Sequence, residues 1–164
     1  MKKIYALFIG LLLIATLVYA GQDRSLPDSK LTPGVILNVA KEDVCVPGYS
    51  QSVRNVPQSE KRQVYQEYNM QADKSPCPCE VDHLVSLELG GSNDIKNLWP
   101  EPYTGKWNAH TKDRLENWLH KQICQGNMTL QEAQEAIRKD WTKAYIKYGI
   151  NKAGNKGNII KIVH

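Results

Sequence analysis

The amino-acid sequence has no internal repeat, no low-complexity block and no strong excess of one charge. Its 164 residues include 21 Lys and Arg against 17 Asp and Glu, so the formal net charge is only +4. With 41% hydrophobic and 23% charged residues, the composition excludes disordered and collagen-like proteins and fits one globular domain. A net charge this small does not identify a binding partner.

The chain has one long uncharged run, and it lies at the N-terminus. Lys2 and Lys3 precede an apolar stretch that ends in the small-residue sequence Val18-Tyr19-Ala20. This pattern is typical of a signal peptide, so we expect residues 1–20 to be removed and the protein to be secreted or periplasmic, without stable membrane association. An uncleaved membrane anchor is the alternative, because the run is at the short limit for spanning a bilayer. No cysteine follows closely, which argues against a lipoprotein.

Four cysteines follow the predicted signal peptide, namely Cys45, Cys77, Cys79 and Cys124. An even number in an exported protein favours two disulfides, in one of three connectivities. A bridge between Cys77 and Cys79 would close a very small ring across Pro78, so we expect each of these two to pair with Cys45 or Cys124. A zinc site of four thiolates is the less favoured alternative, because C-x-C is not the usual knuckle spacing.

Periodicity and turn residues predict an α+β fold. Polarity alternates over residues 80–89, which favours a strand, and residues 95–99 favour a second strand after a turn of about five residues. The other expected elements are short strands or loops over 35–53, a helix over 59–68 capped by Ser59, a helix over 108–124, and a helix over 129–149 that starts with a Thr129-Glu132 capping box. The aromatic residues of this last helix are expected in the core, in preference to stacking on bases.

The positive charge is concentrated at the C-terminus. Residues 141–164 contain five lysines and no acidic residue, whereas residues 21–140 have a net charge of −3. A basic arm attracts a phosphate backbone by releasing counterions, although lysines also solvate chain ends in many proteins. Nucleic acid is therefore one candidate partner, and residues 150–164 are expected to form a flexible basic tail.

The most informative stretch starts at Glu80. It has the sequence E-V-D-H-L-V-S-L-E-L-G-G, and N-D-I-K-N-L-W-P-E-P follows from Asn93. The D-H, G-G and N-L pattern at this spacing resembles the HNH endonuclease family, the ββα-metal finger nucleases. The resemblance extends from Glu80 into the helix that contains Lys112 and Arg114. The organisation that it implies is a signal peptide (1–20), an N-terminal supporting region (21–79), a ββα-metal HNH core (80–126), a C-terminal helix (127–149) and the tail (150–164).

The resemblance also implies roles for individual residues. His83 matches the general base, and an imidazole with an ordinary pKa of about 6.5 can accept a proton from water near neutral pH. Asn97 matches the asparagine that braces the hairpin connection and orients the histidine. Asp82 matches a ligand of a divalent cation, with Mg²⁺ expected and Mn²⁺ or Zn²⁺ as alternatives. Adjacent strand residues point to opposite faces, so Asp82 could instead hold a neighbouring backbone group or Arg side chain.

Two residues compete for the third position of the family pattern, at the start of the helix. His110 is favoured as the metal ligand because imidazole is the stronger donor and Asn108 is well placed as the helix N-cap, although the roles could be reversed. Lys112 and Arg114 are candidates for contacts with phosphate oxygens that flank the cut, with solvated surface charge as the alternative.

The activity implied by the resemblance is hydrolysis of phosphodiester bonds. The expected protein is a secreted, monomeric, metal-dependent endonuclease that acts on DNA, with RNA as a further substrate, and has little sequence specificity. The alternatives are a secreted nucleic-acid-binding module of the same fold without catalysis, and an envelope interaction protein in which the D-H match is accidental. The chain lacks the paired C-x-x-C zinc knuckles of many family members, which leaves disulfides or helix packing to brace the finger.

Overall fold

A computed structural model describes residues 25–71 and 77–150 of the chain. The predicted signal peptide and the predicted tail beyond Ile150 lie outside these residues. Among the helices that are described, none is both long enough and apolar enough to cross a membrane.

The described chain is a mixed α+β fold with a small antiparallel sheet, which confirms the predicted class. In chain order its elements are α1 (Lys41–Val44), α2 (Tyr49–Val53), α3 (Gln58–Glu67), β1 (Cys79–His83), β2 (Leu98–Pro102), α4 (Ala109–Cys124) and α5 (Leu130–Lys147). Two 3-10 turns, Leu87–Leu89 and Ile95–Asn97, lie between β1 and β2. In the sheet, Asp82 is opposite Trp99 and His83 is opposite Leu98.

The connection between the two strands differs from the predicted hairpin. The strand predicted over 80–89 ends at His83, and the second strand starts at Leu98, so residues 84–97 form the connection in place of a turn of about five residues. Asn97 accordingly belongs to a 3-10 turn and not to a strand. Burial does not follow the alternating pattern beyond His83, because Leu84, Val85 and Leu89 all belong to the core.

The side chain of Asn97 explains why β1 ends where it does. Its Oδ1 accepts the N–H of Val85 at 3.0 Å, and its Nδ2 donates to the carbonyl of Val85 at 2.9 Å. These are the backbone groups that a neighbouring strand would otherwise bind. The N–H of Gly91 then donates to the carbonyl of Ser86 at 2.9 Å. The chain therefore turns back after Ser86 and does not extend the sheet.

The caps of the two long helices agree with the sequence. The N–H of Thr111 donates to Oδ1 of Asn108 at 3.0 Å, so Asn108 is the N-cap of α4 as predicted. The predicted capping box of α5 is also confirmed: Oγ1 of Thr129 accepts the N–H of Glu132, and the Glu132 carboxylate accepts the N–H of Thr129. Each contact satisfies a backbone donor that has no partner within the helix.

Other segments differ from the predictions. α5 is kinked at Asp140, whose Oδ1 accepts the N–H of Lys143 at 3.0 Å and so caps the second part of the helix. α3 begins after Pro57, and Ser59 lies within it, because proline supplies a backbone angle suited to a helix start. Residues 35–53 include the expected irregular chain, with a β-bridge between Ile36 and Gly91, but α1 and α2 were not predicted.

The core lies where α4 and α5 pack against each other and against the connection between the strands. Most of its helical members recur every three or four residues and so form one face of each helix. These members are Leu115, Leu119 and Ile123 on α4, and Ala133, Ile137, Trp141, Ala144 and Tyr145 on α5. Trp141 and Tyr145 are buried, so the prediction that these aromatic residues pack in the core is confirmed. This packing fixes the position of the first turns of α4 relative to the sheet.

The described chain contains two disulfides, as predicted, but the predicted pairing of the cysteines is wrong. Cys45 at the end of α1 is bonded to Cys124 at the end of α4, and Cys77 is bonded to Cys79. The N–H of Cys79 donates to the carbonyl of Cys77 at 2.9 Å, which places their Cα atoms 5.2 Å apart. This separation is usual for a disulfide, so a local turn around Pro78 permits the small ring.

Candidate functional site

His83 lies at the end of β1 with only 3% of its surface exposed. Its Nε2 is 3.1 Å from Oδ1 of Asn93. Asn93 is itself held by two contacts, because its Nδ2 donates to the carbonyl of Val53 at 2.8 Å and its Oδ1 accepts the N–H of Asn55 at 3.2 Å. The amide oxygen therefore faces the imidazole, and Nε2 is the nitrogen that carries the proton in the neutral ring. Nδ1 then has the free electron pair.

Asn97 is fully buried, and its hydrogen bonds join the two ends of the connection between β1 and β2. In addition to its two bonds with Val85, its Nδ2 donates to the carbonyl of Ser92 at 2.8 Å. The carbonyl of Asn97 also accepts the N–H of Leu84, the residue after His83, at 2.7 Å. These bonds fix the backbone that follows His83.

Asp82 lies between His83 and a lysine of α4. Its Oδ1 is 3.8 Å from Nδ1 of His83, and its Oδ2 is 2.9 Å from Nζ of Lys112. The neighbouring side chains thus approach each other although strand alternation separates them, because β1 ends at His83 and the chain leaves the sheet there. The distance of 3.8 Å is too long for a hydrogen bond and suits a polar atom shared between the two groups.

The position of Lys112 contradicts its predicted contact with substrate. Its side chain is fully buried, and its Nζ lies 3.2 Å from Oε2 of Glu101 and 2.6 Å from Oε1 of Glu116, in addition to its contact with Asp82. An ammonium enclosed by three carboxyl groups does not reach a phosphate at the surface. Lys112 therefore belongs to a buried charge cluster, which consists of Asp82, Glu101, Lys112 and Glu116.

The carboxyl groups of the buried charge cluster have very different pKa values. Burial raises the pKa of Glu101 to about 9 and that of Glu116 to about 8, although Lys112 lowers both. Burial also opposes ionisation of Asp82, but the attraction of Lys112 outweighs it and holds the pKa of Asp82 well below its usual range. Burial lowers the pKa of Lys112, yet the three carboxyl groups raise it above its ordinary value. Within the cluster, Lys112 therefore favours the ionised form of Asp82, whereas burial favours the neutral forms of Glu101 and Glu116.

The two candidates at the start of α4 have different environments. The side chain of Asn108 is committed to capping, because its Oδ1 accepts from Thr111 and its Nδ2 donates to the carbonyl of Gly105 at 2.7 Å. His110 is exposed, and its ring lies 6.2 Å from the ring of Tyr103 in a stacked orientation. His110 is thus the candidate whose imidazole remains available to a ligand.

Arg114 faces solvent on the next turn of α4. Its Nη2 donates to the hydroxyl of Tyr145 at 3.0 Å, and its guanidinium carbon lies 5.7 Å from the centre of the Tyr145 ring. A guanidinium held in this way is ordered and still exposed. Its predicted contact with phosphate stays a prediction.

A second group of potential metal ligands is separate from these residues. The ligand atoms of Cys45, His120 and Cys124 all lie within 4.8 Å of one another, so this group could hold a metal ion as an alternative to the Cys45–Cys124 disulfide. His120 was not among the predicted site residues, although its spacing of four residues from Cys124 places both on one helix face.

Sequence reasoning missed three residues that contact the predicted ones: Asn93, Glu101 and Glu116. Glu116 could have been found from its position four residues after Lys112, a spacing typical of helical ion pairs. Glu101 and Asn93 have no comparable local signal, because each meets its partner only through the fold.

The chain matches no protein-family model, and comparison with curated proteins and with solved structures gives no match either.

Proposed function

We propose that the chain is a secreted endonuclease of the HNH type that hydrolyses phosphodiester bonds in DNA, and in RNA as a second substrate, with little sequence specificity. The observation that carries this proposal is the environment of His83. Its Nε2 is bound to the fixed amide oxygen of Asn93, while its Nδ1 faces the carboxylate of Asp82. An imidazole with one nitrogen anchored and the other free is arranged as a general base.

The order of elements supports the ββα-metal finger assignment. β1 and β2 pair antiparallel and α4 follows them, with His83 at the end of the first strand and His110 in the first turn of the helix. Asn97 fastens the connection through its bonds to Val85 and Ser92. These three residues are the ones that the sequence resemblance assigned to a nuclease site.

In the proposed reaction, Nδ1 of His83 takes a proton from a water molecule. The water oxygen forms a bond to phosphorus, and the bond between phosphorus and the 3′ oxygen breaks. The positive charge that His83 gains lies 3.8 Å from Oδ1 of Asp82, whose carboxylate stays ionised beside Lys112. Asp82 thereby stabilises the protonated form of His83, and the bond from Nε2 to Asn93 keeps the ring in place.

We propose that Asp82 and the exposed His110 would hold a divalent cation. Asn108 does not fit because its amide caps α4. Mg²⁺ prefers oxygen ligands, and the imidazole of His110 suits Mn²⁺ or Zn²⁺ as well. When bound, such an ion supplies a Lewis acid for the charge that develops on the phosphate and on the leaving oxygen.

Secretion and a monomeric state belong to the same proposal. The two disulfides support an oxidising compartment, because such bonds persist mainly outside the cytosol.

Exposed Arg114 near the start of α4 is the proposed phosphate contact, so the affinity for nucleic acid should depend strongly on salt and weakly on sequence.

The test is degradation of plasmid DNA by the purified protein with Mg²⁺, Mn²⁺, Zn²⁺ or a chelator. We expect cleavage with at least one of the ions, and a loss of about 10²–10⁴-fold in His83→Ala, which is the range for removal of a general base. Asn117→Ala, an exposed position on α4, serves as the control and should cut at the wild-type rate. Far-UV circular dichroism confirms that each variant is folded.

Two outcomes contradict the nuclease proposal. One is a folded wild type that leaves plasmid intact with all three ions, and the other is cleavage by His83→Ala at the wild-type rate.

The burial of Lys112 against Asp82 favours a second candidate, a binding module without catalysis, because an ion pair already neutralises the predicted metal ligand. Salt-dependent binding of DNA without cleavage identifies that candidate.

A further inference from the structure

The corner formed by α1, the last turns of α4 and the 3-10 turn Leu87–Leu89 brings together a disulfide, an imidazole and a carboxylate. Cys124 and His120 are one helical turn apart on α4, and Cys45 joins them through its bond to Cys124. We propose that reduction of this disulfide creates a binding site for a thiophilic divalent cation such as Zn²⁺, with the sulfurs of Cys45 and Cys124 and Nε2 of His120 as ligands. The proposal is independent of nuclease activity.

The distances in this corner already suit a tetrahedral site. Nε2 of His120 lies 3.5 Å from Sγ of Cys124, and the three ligand atoms lie within 4.8 Å of one another. With zinc–sulfur and zinc–nitrogen distances of about 2.3 and 2.1 Å, tetrahedral geometry places a sulfur and a nitrogen ligand about 3.6 Å apart. The His120–Cys124 pair is therefore spaced for a shared ion before any rearrangement.

The two sulfur atoms must move apart, and the imidazole of His120 must give up its contact with the carbonyl of Val44. In a disulfide they are about 2 Å apart, and as ligands of one zinc ion they would be about 3.7 Å apart. Cys124 is exposed and Cys45 is half-buried, so rotation of the Cys124 side chain has room on the solvent side. Water can complete the fourth coordination position from the same side.

Glu88 lies near the ring nitrogen of His120 that is not a proposed ligand. Its Oε2 is 3.8 Å from Nδ1, whereas Sγ of Cys124 is 3.5 Å from Nε2, so a small movement of Glu88 would bring its carboxylate to hydrogen-bond distance. A carboxylate at this nitrogen orients the ring and makes the other nitrogen a better donor. Nε2 contacts the carbonyl of Val44 at 2.9 Å in the disulfide form, and we infer that the metal replaces this contact.

The reaction requires a dithiol reductant. Two electrons and two protons pass from the reductant to the Cys45–Cys124 bond, which breaks into two thiols while the reductant becomes a disulfide. Binding of the divalent cation then releases the two thiol protons to solvent. The disulfide and the metal are mutually exclusive, and each of them joins α1 to the end of α4.

The experiment uses Co²⁺ as a spectroscopic probe of thiolate ligands. The background is the Cys77→Ser/Cys79→Ser protein, in which Cys45 and Cys124 are the remaining cysteines. After reduction by a dithiol and removal of the reductant, we expect one Co²⁺ per chain bound through thiolates, detected by a thiolate-to-cobalt charge-transfer band, and loss of that band when Zn²⁺ is added. The oxidised protein should give no such band.

Variants separate this site from other metal sites on the chain. We expect Glu88→Gln to weaken Co²⁺ binding by about 10–100-fold, and His120→Ala to weaken it at least as much. His110→Ala, the control on the same helix, should leave the charge-transfer band unchanged. Far-UV circular dichroism of the reduced, metal-loaded protein should match that of the oxidised protein.

Three results overturn the proposal. The first is a reduced, folded protein that binds no Co²⁺ through thiolates, and the second is a Co²⁺ affinity that His120→Ala does not change. The third is a reduced protein that stays unfolded with Co²⁺ present, because the three ligands meet only in the folded chain.

Discussion

Replacing Lys112 by methionine tests whether the buried charge cluster acts as a unit. Methionine keeps an unbranched side chain and removes the ammonium that lies 2.9 Å from Oδ2 of Asp82. Glu101 and Glu116 also lose their contact with this ammonium, at 3.2 and 2.6 Å. Asp82 is then left as a carboxylate beside two other carboxyl groups.

The expected effect is large because only one partner is removed. At 2.9 Å the attraction between Lys112 and Asp82 is about 6 kcal/mol for an effective dielectric constant of about 20. Loss of hydration opposes this attraction by several kcal/mol per ion, so the intact pair adds little net stability. Removal of one partner keeps the hydration loss of the other, and we expect Lys112→Met to lower the free energy of unfolding by about 3–5 kcal/mol. Since small domains have about 5–15 kcal/mol in total, the variant should be marginally stable.

Urea unfolding at pH 7 measures this effect. Lys121→Met is the matched control, because Lys121 is an exposed lysine of the same helix and its loss should change stability by no more than about 0.5 kcal/mol. If Lys112→Met does not fold at pH 7, addition of Asp82→Asn should recover part of the stability, since it removes the unpaired charge.

The dependence of stability on pH distinguishes the loss of charge in Lys112→Met from the loss of packing. The pKa of Asp82 is lowered in the folded protein, so its contribution to stability is present above its unfolded pKa of about 3.9 and is lost as the pH falls further. Lys112→Met lacks this contribution, and the gap in stability between wild type and variant should narrow as the pH falls below about 4, so that it is smaller at pH 3 than at pH 7. A gap equal at both pH values, or no larger at pH 7 than that of Lys121→Met, refutes the reasoning.

Two further substitutions test the neighbourhood of His83. The pKa of Glu101 is raised to about 9, so its neutral form favours folding and stability should fall between about pH 5 and pH 9 by up to about 1.4 kcal/mol per pH unit. Glu101→Gln cannot ionise, and urea unfolding should show its stability rising relative to wild type over that range; a constant difference contradicts the prediction. In Gly91→Ala the new Cβ would collide with the carbonyl oxygen of Val85 and lie 2.9 Å from Nδ2 of Asn97. We expect a loss of at least about 2 kcal/mol, and an unchanged urea midpoint would show that the connection is not tightly packed.

The elements that the sequence predicted well are those specified by local signals. α4 and α5 have apolar residues at helical spacing, and their caps depend on residues three positions apart, as in Asn108 with Thr111 and Thr129 with Glu132. Such contacts form within one turn of chain, so periodicity and capping residues determine them. The kink at Asp140 used the same capping chemistry, but an aspartate inside a helical pattern does not reveal it.

The elements that were predicted wrongly depend on contacts between distant residues. Alternation over 80–89 indicated a strand, whereas the Asn97 side chain occupies the backbone groups of Val85 that a strand partner would bind. Lys112 was predicted to contact phosphate, with solvated surface charge as the alternative, but it is buried against Asp82 and Glu101, which come from the two strands. Side-chain burial of this kind follows from the packed fold and leaves no pattern in the sequence.

The Cys45–Cys124 bond joins two residues that are 79 positions apart, so the chain between them forms a covalent ring. β1, β2 and the candidate site residues lie within this ring, whereas α5 follows it. Closing a loop of this length removes about 4–5 kcal/mol of chain entropy from the unfolded state in the loop-closure description. A protease that cuts once inside the ring would therefore release no fragment, and the two pieces would remain tethered at high effective concentration. Such a nicked chain would migrate as one species until a reductant opened the ring.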